Sequence, residues 1–341
     1  MKELQTDIFS EIIKAPADYD MLCILGPTAS GKTKFAVECA KKITDAHLKN
    51  KRAQCQNIVD KSLVAEIISA DSRQVYKGMD IGTGKDLEEY AGVPYHLIDI
   101  VEAGEKYNVF KYKQDFQRVY DEVIARGAFP ILCGGSGLYI EAVCTGYELK
   151  EVAPNPELRA ELEKKEMPEL IQMLTELKAR NGSEPHNNTD FDSKKRVIRA
   201  IEIERAAAAE RSEKSGTCGE NSEGIENAVG KSVGTKIKVK YIGLNPDREV
   251  RNARIDNRLQ QRLDGGMVDE VKKLLDSGIK AEDLIYYGLE YKFVTQYIVG
   301  ELSFDEMKEK LSIAIHQFAK RQMTWFRGME RRGIKIEWLK V

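Results

Sequence analysis

The 341-residue chain has no run approaching the roughly 18 consecutive apolar residues of a helical membrane span, so no membrane partner is expected. Its first residues, MKELQTDIFSEII, carry acids and lack a long apolar stretch, so they do not read as a secretory leader and a cytoplasmic protein is expected. Histidine is scarce, and the four present show no metal-ligand spacing. The six cysteines, Cys23, Cys39, Cys55, Cys133, Cys144 and Cys218, form no CxxC pair, which leaves reduced, mostly buried thiols as their reading. Neither sign of charge dominates: 53 basic against 55 acidic residues give a formal charge of −2. Bulk charge therefore neither requires nor forbids a nucleic-acid partner, and local patches must decide. No internal repeat and no exposed heptad run stands out, so a monomer is expected.

With 42% apolar and 32% charged residues, the chain can bury a sizeable core under a solvated surface, and its length suggests about two domains. MLCIL (21–25) reads as a buried strand, followed by a helix from Lys32 to about Thr44 and a polar loop over 45–62. AEIISADS supplies a second strand with Asp71 just past its end, HLIDIV (96–101) a third, and FPILCGGSGLYIEAV (129–143) a fourth with a glycine turn and a helix start. A helix over about 109–126 lies between the last two. This alternation predicts an α/β fold with a parallel sheet.

After Thr145 the pattern becomes helical: two amphipathic helices separated by Pro168, a loop at SEPHNNTDFD, and a long helix at SKKRVIRAIEIERAAAAE, basic at its start. Residues 206–236 form a polar, Gly/Ser-rich excursion. IKVKYIGLN (237–245) returns to strand, 247–333 is helical, and IKIEWL closes the chain as a strand. The expected organisation is a P-loop NTPase-like core over 1–145 and 191–341, a helical insertion over 146–190, and C-terminal helices.

GPTASGKT, running Gly26, Pro27, Thr28, Ala29, Ser30, Gly31, Lys32, Thr33, fits G-x-x-x-x-G-K-[ST] and sits between a buried strand and a helix, as that motif requires. Glycines let the backbone wrap a phosphate, the helix N-terminus and successive amides face the anion, Lys32 adds a cation, and the Thr33 hydroxyl is suited to Mg2+. The motif specifies a polyphosphate without specifying a nucleotide. Ligands of parallel α/β sheets bind beyond the carboxyl ends of the strands, where Asp71 lies. A carboxylate there can hold Mg2+, act as a general base, or merely cap the turn. Ser72, Arg73 and Gln74 beside it offer hydrogen bonds, and Tyr76 offers a ring for stacking. GGSGLY (134–139) is a second glycine-rich strand end, where Ser136 either bonds a substrate or only completes a turn.

Two basic patches follow. SKKRVIRA places Lys194, Lys195, Arg196 and Arg199 within two helical turns, and KRQMTWFRGMERR (320–332) interleaves cations with Trp325 and Phe326. Cations with aromatics suit loop RNA; a solvated helix face is the plain alternative. Arg251, Arg254 and Arg258 form a stripe at spacings of three and four, fit for a diphosphate or for pairing with Asp247 and Glu249.

The motifs GPTASGKT, SADSRQVYKGMDIGTGK, GGSGLYIEAV, KRVIRAIEI, RIDNRL and AKRQMTWFR, in this order over about residues 21–330, resemble the tRNA dimethylallyltransferases (tRNA isopentenyltransferases). The resemblance implies transfer of a dimethylallyl group from dimethylallyl diphosphate to the exocyclic amine of the adenosine 3′ to the anticodon in tRNA. It implies Asp71 as general base, the cradle from Gly26 to Thr33 with Arg254 as the diphosphate site, Lys32 and Arg258 as its cations, and Thr33 as the Mg2+-associated hydroxyl. It implies tRNA contacts at Asp71, Ser72, Arg73, Gln74, Ser136, at Lys195, Arg196, Val197, Ile198 and Arg199, and at Gly288 and Lys292, with the anticodon stem-loop gripped by the insertion. Serine stands at 136 where family members commonly have threonine, LIYYGLEYK (284–292) changes the spacing of a family loop, the 206–236 excursion is long, and there is no C-terminal zinc-finger spacing. A free-nucleotide isopentenyltransferase, a P-loop small-molecule kinase binding ATP, and a non-catalytic RNA-binding module are the rival readings.

Overall fold

Helix α1 (Lys2–Asp18) leads into strand β1 (Met21–Leu25), which is buried along its whole length. Side chains of a strand alternate between faces, and here Met21, Cys23 and Leu25 enter one core while Leu22 and Ile24 enter another. A strand buried on both faces needs helices on both sides. On one side α1 and α2 (Lys32–Gln54) supply Ile8, Ile12, Ala36 and Ile43. On the other, α3 (Val109–Ala125) supplies Tyr112 and Phe116 and α4 (Gly137–Cys144) supplies Tyr139 and Ile140.

The computed structural model describes residues 2–54, 64–145, 152–182, 191, 193–215 and 237–341. Strands β2 (Ala65–Ser69), β3 (Tyr95–His96), β4 (Phe129–Gly134), β5 (Val239–Leu244) and β6 (Ile336–Leu339) join β1 in a six-stranded sheet of order β3-β2-β4-β1-β5-β6. Every pairing is parallel. β1 lies between β4 and β5, so the loops at the carboxyl ends of β1, β2, β4 and β5 gather at one edge. Helices α8 (Arg248–Asp264), α9 (Met267–Asp276), α10 (Ala281–Tyr286), α11 (Leu289–Ile298) and α12 (Phe304–Arg331) add to the α3–α4 side. α12 starts on a capping box: the Ser303 hydroxyl accepts from the Glu306 amide while the Glu306 carboxylate accepts from the Ser303 amide.

Residues 148–233 form a second compact unit. Within it α5 (Pro156–Leu162), α6 (Met167–Asn181) and α7 (Lys194–Ser215) share a core of Leu162, Leu170, Leu174, Val197, Ile198 and Ile201. The expected boundary at 190 therefore falls short: α7, placed with the catalytic core from its sequence, buries its apolar stripe against α6.

Three local expectations differ. The polar loop expected from 45 is helix as far as Gln54, because DAHLKNKRAQ is polar yet largely built of good helix formers; 55–62 lies outside the described residues. The strand expected over 96–101 shrinks to β3, because Leu97 (φ +62°) and Asp99 (φ +56°) adopt left-handed backbone that no strand tolerates. Of the 206–236 excursion, 206–210 is helical as the reading of SKKRVIRAIEIERAAAAE predicts, 211–215 continues α7 beyond it, and 216–236 lies outside the described residues. Among the described residues, no helix is long and apolar enough to cross a membrane.

The close approach of β4 to the segment after β2 is a constraint on one glycine. A Cβ on Gly134 would lie 2.2 Å from the Ala70 carbonyl oxygen. Gly134→Ala is expected to lower unfolding free energy by about 1–3 kcal/mol through overpacking. Chemical denaturation measures it, and an unchanged midpoint would contradict the close approach.

Candidate active site

The loop after β1 has the backbone that its glycines allow. Gly26 sits at φ +159° with its Cα so near β5 that a Cβ would lie 2.5 Å from the Leu244 carbonyl oxygen. Ala29, at φ +59°, is held left-handed without glycine's freedom, a strain of roughly 1–2 kcal/mol of the kind that collects at ligand sites. Ser30 is 2% exposed, and its hydroxyl has no hydrogen-bond partner among the described residues. A buried hydroxyl without a partner in a loop of anion-facing amides is a site shaped for a ligand.

Lys32 opens α2, and its ammonium donates to the Pro27 carbonyl at 2.7 Å, folding back over the loop. Burial lowers its pKa to about 8; the nearby Asp71 carboxylate opposes the shift and Arg258 adds to it. The structure thus brings Asp71 and Arg258 within electrostatic reach of Lys32, although they are far apart in sequence. Thr33 is half-buried in the first turn of α2. No cluster of three metal-ligating side chains occurs among the described residues. Mg2+ commonly takes only one or two protein ligands beside phosphate oxygens, so a single hydroxyl next to a diphosphate cradle fits its habit.

Beyond β2, the Asp71 carboxylate accepts from the Arg73 amide at 2.9 Å, an Asx-type turn that fixes its direction. The Ser136 hydroxyl accepts from the Ser72 amide at 3.0 Å and also lies 3.2 Å from the Ser72 hydroxyl. The β2 and β4 ends are therefore joined through the residues that the sequence singled out. Gln74 donates to the Gly84 carbonyl at 3.0 Å. Arg258 donates to the same carbonyl at 3.3 Å and to Asp86 at 2.7 Å. Gly288, at φ +147°, lies against Arg73, so the changed loop at 284–292 still reaches this site. Lys292 rests over the Phe293 ring, 5.2 Å from its centroid.

Sequence reasoning missed Gln322. The residue, 8% exposed, accepts through its side chain from the Thr28 amide at 2.8 Å and donates to the Gly135 carbonyl at 2.8 Å, tying the β1 loop to the β4 loop through α12. Nothing in KRQMTWFR sets this glutamine apart, since both its partners lie far away in sequence.

Several expected contacts are corrected. Trp325 is not a free stacking platform: its ring packs where a Cβ on Gly137 would lie 2.2 Å away, and its indole N–H donates to Glu141 at 3.1 Å. Phe326 is fully buried. Tyr76 is buried against Tyr287, with ring centroids 4.4 Å apart, so it does not stack on substrate. Val197 and Ile198 lie in the core of the second unit, so their side chains offer nothing to RNA. Lys195 and Arg196 are exposed, while Arg199 is bonded within its unit to Glu202 at 3.0 Å and to the Val152 carbonyl at 2.8 Å. The arginine stripe divides: Arg258 faces the 84–86 loop, Arg254 is exposed, and Arg251 lines a cavity of about 470 Å³ with Arg248, Lys320 and Arg327. The Nε of Arg251 is buried without a hydrogen-bond partner among the described residues.

Comparison with known proteins adds to this geometry. Residues 74–329 match a family described as IPP transferase. A protein of Parabacteroides distasonis named tRNA dimethylallyltransferase 1 is 51% identical over 325 residues, covering 94% of this chain and 92% of that one. The crystal structure of a tRNA isopentenylpyrophosphate transferase from Bacillus halodurans is similar with TM-score 0.61 and 31% identity, over 95% of this chain and 90% of that one. A eukaryotic dimethylallyltransferase acting on tRNA shares the fold with TM-score 0.66 at 19% identity, over 94% of this chain and 74% of that one.

Replacing Gln322 with leucine strands a buried amide and a buried carbonyl. Gln322→Leu is expected to cost about 1–3 kcal/mol per stranded group. Thermal unfolding checks it; a variant as stable as the parent would contradict the bridge.

Proposed function

The chain belongs to the IPP transferase family, the tRNA dimethylallyltransferases, and on that premise we propose how its site works. The protein is a transferase that places a dimethylallyl group on tRNA. The donor is dimethylallyl diphosphate, and the acceptor is the exocyclic amine of the adenosine 3′ to the anticodon. The observation that supports this reading is that Asp71 and Arg258 both lie within electrostatic reach of Lys32, which folds back over the β1 loop to the Pro27 carbonyl. The names of the relatives favour neither a small-molecule kinase nor a free-nucleotide enzyme.

The chemistry follows from the parts. The adenine amine is a weak nucleophile because its lone pair is delocalised into the ring. As its nitrogen bonds to the allylic carbon, the C–O bond to diphosphate breaks and the diphosphate leaves with that electron pair. Asp71 takes the amine proton during this step. The β1 loop amides, the Ser30 hydroxyl, Lys32 and Arg258 stabilise the charge that grows on the leaving diphosphate, and the exposed Arg254 meets the incoming donor. Thr33 would hold Mg2+, whose charge would offset that of the diphosphate.

The acceptor must leave its stack, which costs less in a loop than in a duplex. Ser72, Arg73, Gln74, Ser136, Gly288 and Lys292 contact the extruded nucleotide and its neighbours. Lys195, Arg196 and Arg199 contact the backbone of the anticodon stem. The cavity lined by Arg251, Lys320 and Arg327 suits further backbone phosphates. The protein acts as a cytoplasmic monomer.

Asp71→Asn keeps the shape and removes the base. It is expected to slow single-turnover transfer by about 10²–10⁴-fold with tRNA affinity nearly unchanged. Product is read by nucleoside analysis after incubation with labelled dimethylallyl diphosphate and undermodified tRNA. Near-parental turnover would remove Asp71 from the base role.

The lowered pKa of Lys32 gives a second expectation. A cation whose folded value is depressed loses its charge at lower pH than usual. Below about pH 8 the ligand-free ammonium is present; above it the lysine becomes neutral and donor binding must restore a proton. Donor KM is therefore expected to rise as pH passes about 8, and Lys32→Arg should flatten that rise. A parental KM that stays flat well above this pH would contradict it.

A further inference from the structure

The loop Lys77–Lys85, KGMDIGTGK, is glycine-rich, yet three successive amides in it are already occupied. Glu270, on α9, reaches into it. One carboxylate oxygen accepts from the Asp80 amide at 2.8 Å and the Ile81 amide at 2.7 Å. The other accepts from the Gly82 amide at 3.0 Å and the Tyr291 hydroxyl at 2.6 Å. Three successive amides converging on one anion make a nest, and this chain fills it with its own carboxylate. On the opposite side Lys85, its side chain 1% exposed, donates to the Tyr76 carbonyl at 2.6 Å, to Asp80 at 2.6 Å and to Asp99.

What this clamp holds in place is the Gly84 carbonyl, two residues past the nest. That oxygen is shared by Gln74, three residues past Asp71, and by Arg258. Space around it is tight: a Cβ on Gly84 would lie 1.6 Å from an Arg262 nitrogen and 2.4 Å from an Arg258 nitrogen. Arg262 in turn reaches the Gly82 carbonyl at 3.4 Å. The acid-bearing segment and the diphosphate cation therefore meet on one backbone group whose direction is set from α9.

We infer that Glu270 is a positioning residue for the transfer reaction: by filling the amide nest at 80–82 it aims the Gly84 carbonyl, which registers the Asp71 segment against Arg258. This rests on the roles given above to Asp71 and Arg258. Glu270→Gln preserves volume but leaves one acceptor oxygen and turns an NH2 donor toward amides that need an acceptor. Small misplacements of catalytic groups cost up to about 10²-fold in rate.

The test is a double-mutant cycle in single-turnover transfer, with the full-length protein, dimethylallyl diphosphate and undermodified tRNA. Glu270→Gln is expected to lower kcat at least about tenfold with KM for tRNA within about twofold. In an Arg258→Ala background the same change should have little further effect, because the registered partner is gone. Tyr291→Phe, which removes one of the four donors to Glu270, should show a smaller fall of the same kind, equally absent in the Arg258→Ala background; it carries the test if Glu270→Gln folds poorly. If Arg258→Ala slows transfer but the Glu270 or Tyr291 effects multiply with it unchanged, the positioning role is overturned while the site assignment stands. If Arg258→Ala is itself neutral, both fall together.

Discussion

A buried amide side chain joins the floor of this site. Gln322 takes the Thr28 amide with one end and gives a hydrogen bond to the Gly135 carbonyl with the other. It rises from a long helix at the far end of the sequence and ties together two strand-end loops that no covalent link holds in register. The loop after β1 is strained at Ala29 and carries an unpartnered hydroxyl at Ser30. Such a loop keeps its shape only if its surroundings over-determine it. Gln322, Leu244 behind Gly26 and the start of α2 are those surroundings. A second registration, between the segment after β4 and the segment after β2 that carries Asp71, is made by Ser136 bonding Ser72.

The architecture explains why two Gly-rich loops of similar composition have opposite uses. In the first, GPTASGKT, the buried Ser30 hydroxyl has no partner among the described residues, and Lys32 is held at reduced basicity by burial. In the second, KGMDIGTGK, the amides are consumed by Glu270 and the lysine is locked between Asp80 and Asp99. The second loop is built for rigidity, and it presents the buried Gly84 carbonyl to Gln74 and Arg258. Composition alone does not distinguish the two; the difference lies in whether an internal anion fills the nest.

Much of this was legible in the sequence because the signals were local. The buried run MLCIL, the strand-to-helix turn after it, Asp71 just past a strand end and the alternation of strands with helices all follow from short-range pattern, and the sheet is parallel as expected. What was not legible depends on long-range packing. Trp325 read as a stacking residue because it lies among cations, but the helix turns it onto Gly137 and Glu141. Val197 and Ile198 lie inside a basic motif yet face the core of their own unit, as helical periodicity dictates once α6 is known to pack there. HLIDIV has the apolar content of a strand, and only the left-handed residues Leu97 and Asp99 end it. Gln322 and Glu270 are not legible locally, because a lone Gln or Glu on an amphipathic helix is ordinary until the backbone groups it bonds, more than 180 residues away, are placed.

The central claim is spatial: the diphosphate of the donor lies in the β1 loop and Asp71 lies beside the amine that attacks. The most direct measurement is a crystal structure of the protein with an undermodified anticodon stem-loop and a thiolo analogue of dimethylallyl diphosphate. The account predicts diphosphate oxygens against Ser30, Lys32 and Arg258, with an Asp71 oxygen within about 3.2 Å of the exocyclic nitrogen of the extruded adenine. A diphosphate bound away from the β1 loop, or an adenine whose amine faces away from Asp71, would contradict it.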